Sequence, residues 1–321
     1  MMEPYRIELP TIFGMKTVNS YLFTEPEPVL VDCGEKSDEG WYKLNHELAQ
    51  HQLRVRDIRK VFITHAHIDH MGMAGKIVEN SEAEVWVSPL VKEWAINLEQ
   101  AQQKRSQLIQ GVLQQNIDLE KAPFGKGFAS LFGRFHQFWD EIPEDRVKVF
   151  DLNGKIDMGG STWQVIYAPG HCINQTCFYQ AETKQLISAD MLLKITPSPV
   201  IEADPEPPFE RMKSLAIMLE SYDKFAQMDI EKVYPGHYEP FGNHKDLIDH
   251  QVYRIHQRKE ACFDLIKAGH HNFMELLGEL YKDRISFPAF PMLIGYLDLL
   301  LDENRIFTEH RNGILSYRVL S

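Results

Sequence analysis

Thr64-His65-Ala66-His67-Ile68-Asp69-His70-Met71-Gly72 packs three histidines and an aspartate into one short stretch, directly after the apolar run Val61-Phe62-Ile63. The apolar run reads as a buried strand. Gly72 follows the last histidine, and a helix is predicted from there through Val78. A strand-to-helix turn can aim several side chains at one point, which a straight strand or helix cannot. His65 and His67 are two apart, so on extended backbone they share a side. Asp69 and His70 follow as the chain turns and face a neighbouring position. Imidazole with carboxylate suits zinc, iron or manganese, whereas a calcium site is built from oxygen alone.

Three distant segments extend this set: Ala168-Pro169-Gly170-His171, Ser188-Ala189-Asp190 and Pro235-Gly236-His237. Each follows a run of strand character, over 163–168, 185–188 and 232–234. One such histidine cluster on its own can be an accidental polar turn. The distant His171, Asp190 and His237 argue against accident, because the total becomes five histidines and two carboxylates, enough for two metal ions.

The pattern H-x-H-x-D-H, followed by a distant His, Asp and His, resembles the metallo-β-lactamase-fold superfamily over about residues 1–245. The resemblance implies that His65, His67 and His171 hold a first metal. Asp69, His70 and His237 hold a second, and Asp190 bridges the two. It places a supporting carboxylate at Asp32, in Val29-Leu30-Val31-Asp32-Cys33-Gly34, which would orient a ligand histidine through its other ring nitrogen. It also supplies the architecture: an α+β fold of four layers (αβ/βα), with two sheets face to face, helices outside and metals at one edge. The implied cofactors are two divalent metal ions, zinc first, with iron or manganese as alternatives.

The chain of 321 residues is long enough for a sizeable core and an accessory module. It is 44% hydrophobic and 25% charged, the balance of a soluble globular protein. Its formal net charge of -12 disfavours long polyanionic substrates, which are held by clustered Lys and Arg. Cys33, Cys172, Cys177 and Cys262 show no C-x-x-C spacing and no disulfide framework, so a reduced cytoplasm is the simplest location. Cys33 and Cys172 adjoin Asp32 and His171, but the simplest reading is of small buried thiols beside an already complete ligand set. The N-terminal residues carry no apolar signal region, and no apolar run is long enough for a membrane span.

Strands are predicted over 6–9, 18–23, 29–31 and 84–87, with helices over 38–51 and 209–227. A helical insert is expected at about 89–146. It begins with a long polar helix over 91–115 and continues with Phe124, Phe128, Phe132, Phe135, Phe138 and Trp139 at helical spacing. Most of that stripe is expected to pack on the body, and the insert is well placed to cap the site. The proline-rich loop 196–208 reads mainly as a connection, with walling of the pocket as a second role. Residues 246–321 read as a separate module with helices over 247–268, 272–282 and 288–302, then strands over 305–309 and 314–319. This order resembles a winged helix. Its third helix carries Asp298, Asp302 and Glu303 but no Lys or Arg, which argues against a nucleic-acid groove. That helix's apolar face, Leu293, Tyr296, Leu297 and Leu300, must be buried on protein, either the rest of this chain or a second copy in a homodimer.

The preferred function is a hydrolase in which a metal-bridging hydroxide attacks a small ester, thioester or lactone, with Asp69 orienting it and shuttling a proton. Lys194 and Tyr238 are candidate contacts for a substrate anion. Lactonases of acyl-homoserine lactones carry a tyrosine soon after the bridging aspartate, and Asp190-Met191-Leu192-Leu193-Lys194 has none. The segment typical of glyoxalase II is missing there too. Two alternatives are a metal-dependent endoribonuclease or other nuclease, and an iron-dependent oxidoreductase akin to persulfide dioxygenases. A small-molecule substrate, with neither nucleic acid nor membrane as partner, fits the acidic chain best.

Overall fold

A computed structural model describes residues 3–12, 15–118, 138–205, 209–311 and 313–320. The first sheet has six strands in sequence order: β1 (Tyr5–Pro10), β2 (Thr17–Phe23), β3 (Val29–Val31), β4 (Lys60–Phe62), β5 (Glu84–Val87) and β6 (Val147–Val149). β1, β2 and β3 pair antiparallel, and β3 through β6 run parallel. The second sheet runs β11 (Lys232–Pro235), β10 (Gln185–Ala189), β9 (Thr176–Gln180), β8 (Ser161–Tyr167), β7 (Lys155–Met158), with β10 and β11 parallel and the rest antiparallel.

Side-chain alternation along the strands builds the layers. Tyr21, Phe23, Val29, Val31 and Phe62 meet Trp163, Val165, Phe178, Ile187 and Tyr234 between the sheets. Leu22, Leu30, Val61 and Ile63 point the other way, onto helix α1 (Asp38–Gln50), the short α2 (Ile68–Met71) and α3 (Ala74–Glu79). Ile166, Leu186 and Val233 leave the second sheet on its outer face. There they meet α5 (Leu98–Asn116), α6 (Ser214–Ala226) and the tail helices α7 (His244–Lys267), α8 (Phe273–Tyr281) and α9 (Ala289–Asp302). The expected αβ/βα layering is therefore present. Strands buried on both faces, such as Val29-Leu30-Val31, explain why their sequence is continuously apolar.

Several expectations need correction. The long helix predicted over 91–115 is two helices, α4 (Lys92–Ile96) and α5, broken at Asn97, whose backbone is non-helical (φ -140°, ψ 54°). It is also not polar all round, because Leu98, Ala101, Ile109, Val112, Leu113 and Asn116 form a buried stripe. The helix predicted from 209 begins at Ser214. Phe209 is left-handed (φ 60°), and Arg211 bridges back to Ala203 instead. Most of the aromatic stripe, 124–135, lies outside the described residues. Trp139 is buried and stacked on Trp94 with ring centroids 6.0 Å apart.

The tail has the predicted elements, closing with β12 (Ile306–Arg311) paired to β13 (Ile314–Val319). Leu293, Tyr296, Leu297 and Leu300 are all buried in the core shared with α6 and α7. Arg211 grips Asp298 with two hydrogen bonds of 2.7 and 2.6 Å, and Lys213 pairs with Asp302. Lys259 of α7 pairs with Glu303. The apolar face and the acidic residues of α9 are thus satisfied within this chain. No helix among the described residues is long and apolar enough to cross a membrane.

Candidate metal centre

Two parallel strand pairs bring the candidate residues together. Val31 lies opposite Phe62, so Asp32 and the segment from Ile63 leave the first sheet at the same edge. Ala189 lies opposite Pro235, so Asp190 and Gly236-His237 leave the second sheet together. Hydrogen bonds then tie the two edges to each other. Thr176 donates to Thr64 O through its N–H (2.9 Å) and its hydroxyl (2.8 Å). Ala66 N donates to Asn174 Oδ1 (3.0 Å), and Tyr21 Oη donates to Pro235 O (2.6 Å). His171 arrives on the loop between β8 and β9.

All seven candidate ligands converge. His67 Nδ1 lies 3.0 Å from both His65 Nε2 and His171 Nε2. Asp190 reaches His171 Nε2 (3.6 Å) on this side, and His70 Nε2 (3.3 Å) and His237 Nε2 (3.4 Å) on the other. Asp69 Oδ2 is 3.4 Å from His237 Nε2 and 3.9 Å from His70 Nε2. His65, His171 and Asp190 form one group able to hold a metal, and Asp69, His70 and His237 another.

The outer ring nitrogens are held in place. His70 Nδ1 meets Asp32 Oδ2 at 2.8 Å, the contact an orienting carboxylate would make. Asp32 also takes Thr64 N (2.9 Å) and Thr64 Oγ1 (2.8 Å), and Thr64 Oγ1 contacts His65 Nδ1 at 3.0 Å. His171 Nδ1 donates to Ser198 O (2.8 Å), and His237 Nδ1 donates to Thr17 O (2.6 Å). For His65, His70, His171 and His237 these contacts fix which nitrogen faces inward, whereas His67 turns Nδ1 inward and its buried Nε2 has no hydrogen-bond partner. Ser198 lies in the proline-rich loop, so that loop is more than a connection. Backbone carbonyls have no side-chain signature, so neither Ser198 nor Thr17 was visible in the sequence. Thr64 could have been noticed as a hydroxyl beside the first histidine.

The residues present fit metal ions. His70 Nε2, His237 Nε2 and Asp190 Oδ1 are buried without a hydrogen-bond partner, although they lie close together. Such orphaned groups are costly unless something joins them. Ligands on a tetrahedral ion with bonds of about 2.05 Å sit roughly 3.3 Å apart, close to the spacing of the first imidazole trio. Burial and the neighbouring histidines hold His65 and His67 well below the usual imidazole range, so both are neutral and able to donate lone pairs. Burial lowers His171 as well. At His237 burial is outweighed by the nearby Asp190 and Asp69 carboxylates, which lift it to about 10. Asp69 is drawn down to about 2 against burial, by His70 and then His237. Protons thus neutralise the acidic side of the centre, and a dication would replace them.

Backbone strain surrounds the same residues. Asp32 (φ 57°), Ala189 before Asp190 (φ 44°) and Tyr238 after His237 (φ 68°) are all left-handed. Gly170, before His171, takes φ 140°, and a Cβ there would lie 2.4 Å from the Met218 backbone, so both conformation and space call for glycine. Clustered strain of this kind is found at functional sites.

Other candidates stand apart. Lys194 is exposed, and among the described residues it has no ion pair or side-chain hydrogen bond. Tyr238 is 39% exposed and contributes its carbonyl to Arg6 and Asn19. Neither has a recorded contact with the ligand set. All four cysteines are free and buried. Cys172 comes nearer than expected, its sulfur grouping with His65 and His67, while burial pushes its thiol well up and keeps it protonated.

The model of the metallo-beta-lactamase superfamily matches residues 14–237, and the chain belongs to that superfamily. A protein described as a probable metallo-hydrolase, YqjP of Bacillus subtilis, is 26% identical over 321 residues, covering 98% of this chain and 97% of that one. The crystal structure of the metallo-beta-lactamase family protein TTHA1429 from Thermus thermophilus superposes with a TM-score of 0.78 at 22% identity, covering 99% of both chains. A beta-lactamase domain protein from Burkholderia ambifaria gives 0.82 at 19% identity, covering 100% of this chain and 93% of its own. At such identities these structures speak for the fold alone.

Proposed function

We propose that this protein is a dinuclear metal-dependent hydrolase of a small ester, thioester or lactone. The hydrolase class follows from family membership. The observation that carries the rest is the two ligand groups, His65/His171/Asp190 and Asp69/His70/His237, with Asp190 also 3.3 Å from His70 and 3.4 Å from His237 of the second, and with His70 Nε2, His237 Nε2 and Asp190 Oδ1 lacking hydrogen-bond partners. His65, His67 and His171 would hold one ion, and Asp69, His70 and His237 the other, with Asp190 between. Ions there, zinc by preference, would acidify a water toward neutrality and polarise the oxygen of the scissile carbonyl. Asp69 is ionised at neutral pH. It orients the attacking water and carries a proton to the leaving group. Asp32 and Thr64 keep His70 and His65 in the working tautomer.

The tail is read as winged-helix-like, and the segment around α4 and α5 as a cap. The nuclease alternative is disfavoured, because the acidic residues of α9 are engaged by Arg211, Lys213 and Lys259 within the chain. The buried apolar face of α9 also removes the reason to expect a homodimer there.

The test is metal analysis of the purified protein, joined to a screen of esters, thioesters, lactones, phosphodiesters and RNA. About two metal ions per chain and turnover of a carbonyl substrate are expected. Asp69→Asn should lower turnover far more than substrate affinity. Cleavage confined to RNA or phosphodiesters, or a single iron with no hydrolysis, would overturn the reading.

A further inference from the structure

Strand β2 has an open edge beside His237. It pairs with β1 from Thr17 to Leu22 but with β3 only over Tyr21–Phe23. The edge from Thr17 to Ser20 therefore has no strand partner among the described residues. The loop after β11 fills it. Asn19 N donates to Gly236 O at 2.7 Å, and Thr17 O accepts from His237 Nδ1 at 2.6 Å.

The Asn19 side chain completes this grip. Its amide nitrogen donates to Pro235 O (2.9 Å) and to Tyr238 O (2.7 Å), while its oxygen accepts from Arg6 Nη1 (3.4 Å). Two carbonyls can be met only by the NH2 end, so the orientation of the amide is fixed. Tyr21, two residues on and hence on the same side of the strand, donates its hydroxyl to the same Pro235 O. Asn19 is buried and holds the carbonyls of residues 235, 236 and 238, on both sides of a candidate ligand. The backbone it holds is also the strained part of the loop. Tyr238 is left-handed (φ 68°), a conformation that a bulky side chain keeps only when its surroundings impose it. The two donors on its carbonyl are Asn19 and Arg6 Nη1, at 2.7 and 3.1 Å.

We propose that Asn19 is a positioning residue for the metal centre, which fixes the backbone on either side of His237 and so sets where His237 Nε2 stands relative to Asp69 and Asp190. Those separations are both 3.4 Å. Metal–ligand distances tolerate only about ±0.2 Å, so a small drift of this loop is enough to weaken an ion held there. The proposal rests on the two-metal reading above. Asp32 meets His70 through the ring, whereas Asn19 acts on His237 through the main chain.

The test is zinc occupancy of the metal-loaded protein after dialysis against buffered free zinc, with circular dichroism to follow unfolding. Wild type should lose its two ions in separate steps, and His237→Ala should abolish one of them, which marks the second site. Asn19→Asp keeps the shape but turns an acceptor toward two carbonyls. Asn19→Ser keeps a polar group too short to span them. Both should weaken the His237-dependent step by about 10- to 100-fold and leave the other step unchanged. Arg6→Gln removes only the outer support of Tyr238 O and should weaken the same step less. A role confined to holding the sheets together predicts a lower melting temperature with both zinc steps unchanged, and that result refutes the proposal while the metal reading stands. Should Asn19→Asp fail to fold, unchanged steps in Asn19→Ser and Arg6→Gln refute it equally. If wild type shows no His237-dependent step, the two-metal reading fails and this proposal falls with it.

Discussion

Gly236 offers the sharpest test of the metal centre, because a single methyl group there collides with a proposed ligand. A Cβ built at Gly236 lies 2.1 Å from Asp190 Oδ1 and 2.8 Å from His70 Cε1. Real Cβ atoms essentially never approach another heavy atom within 3.0 Å, so Asp190 must retreat by about 0.9 Å to reach even that limit. Metal–ligand distances tolerate only about ±0.2 Å. The backbone cannot absorb the shift easily, since Gly236 N donates to Ala189 O and Gly236 O accepts from Asn19 N. Gly236→Ala should therefore weaken metal binding by roughly 100-fold, in line with the cost of about 1 Å of misplacement in a preorganised site. The readout is metal content after equilibration against a weak chelator, with circular dichroism to verify the fold. Gly111→Ala is the control. Gly111 lies inside α5 with open space around its Cβ, so the change should stabilise by about 0.5–1 kcal/mol and leave the metals in place. Two metals retained at wild-type affinity in Gly236→Ala would refute the assignment of Asp190 as the shared ligand.

Asp32→Asn should reduce affinity for the second metal by about 10- to 100-fold, since the carboxylate holds His70 Nδ1 and both donors of Thr64; metal titration checks it. Gln251→Ala should loosen the stretch after Asp190, because its amide donates to Leu193 O (2.5 Å) and Ile195 O (3.1 Å); faster proteolysis between residues 190 and 200 is the expected sign. Asp298→Ala leaves Arg211 partly buried without its bidentate partner and should cost about 2–3 kcal/mol in denaturant unfolding. For metal-free protein, His237 is raised from 6.5 to about 10. Its contribution to stability is thus complete below pH 6.5 and is lost as pH rises through about 10. Melting temperatures of chelated protein should fall over that window while the added stabilisation by metal grows, and parallel curves for the two forms would contradict the exchange of protons for metal.

The convergence of the candidate ligands was readable because it depends on local events. Each candidate ligand sits at the end of a strand or just past it, and strands announce themselves by apolar runs. The roles of Thr17 and Ser198 were not readable, because they act through carbonyl oxygens. The proline-rich loop was underrated for that reason. α5 was misread because its mean composition is polar, while its inward stripe alone decides where it packs. Counting its apolar positions at three- and four-residue spacing would have exposed the stripe. The break at Asn97 and the late start of α6 depend on left-handed or irregular backbone, which no periodicity encodes.

The tail reads in the sequence as a module whose third helix must be covered by protein, and in the structure this chain itself covers it. α7 holds the carbonyls of Leu193 and Ile195 through Gln251, and Ser198 Oγ donates to Pro288 O just before α9. The same Ser198 accepts from His171 Nδ1 through its own carbonyl. The segment from Asp190 to Ser198 therefore begins at one candidate ligand and holds another, His171, near its far end, with the tail gripping its middle. Arg211 and Lys213 anchor α9 to the strand-like stretch that leads into α6, and α6 covers the second sheet beneath His171. A module docked this way acts as a clamp on two of the seven candidate ligands. Nucleic-acid recognition would need its third helix free, whereas positioning the metal centre needs that helix packed where it lies.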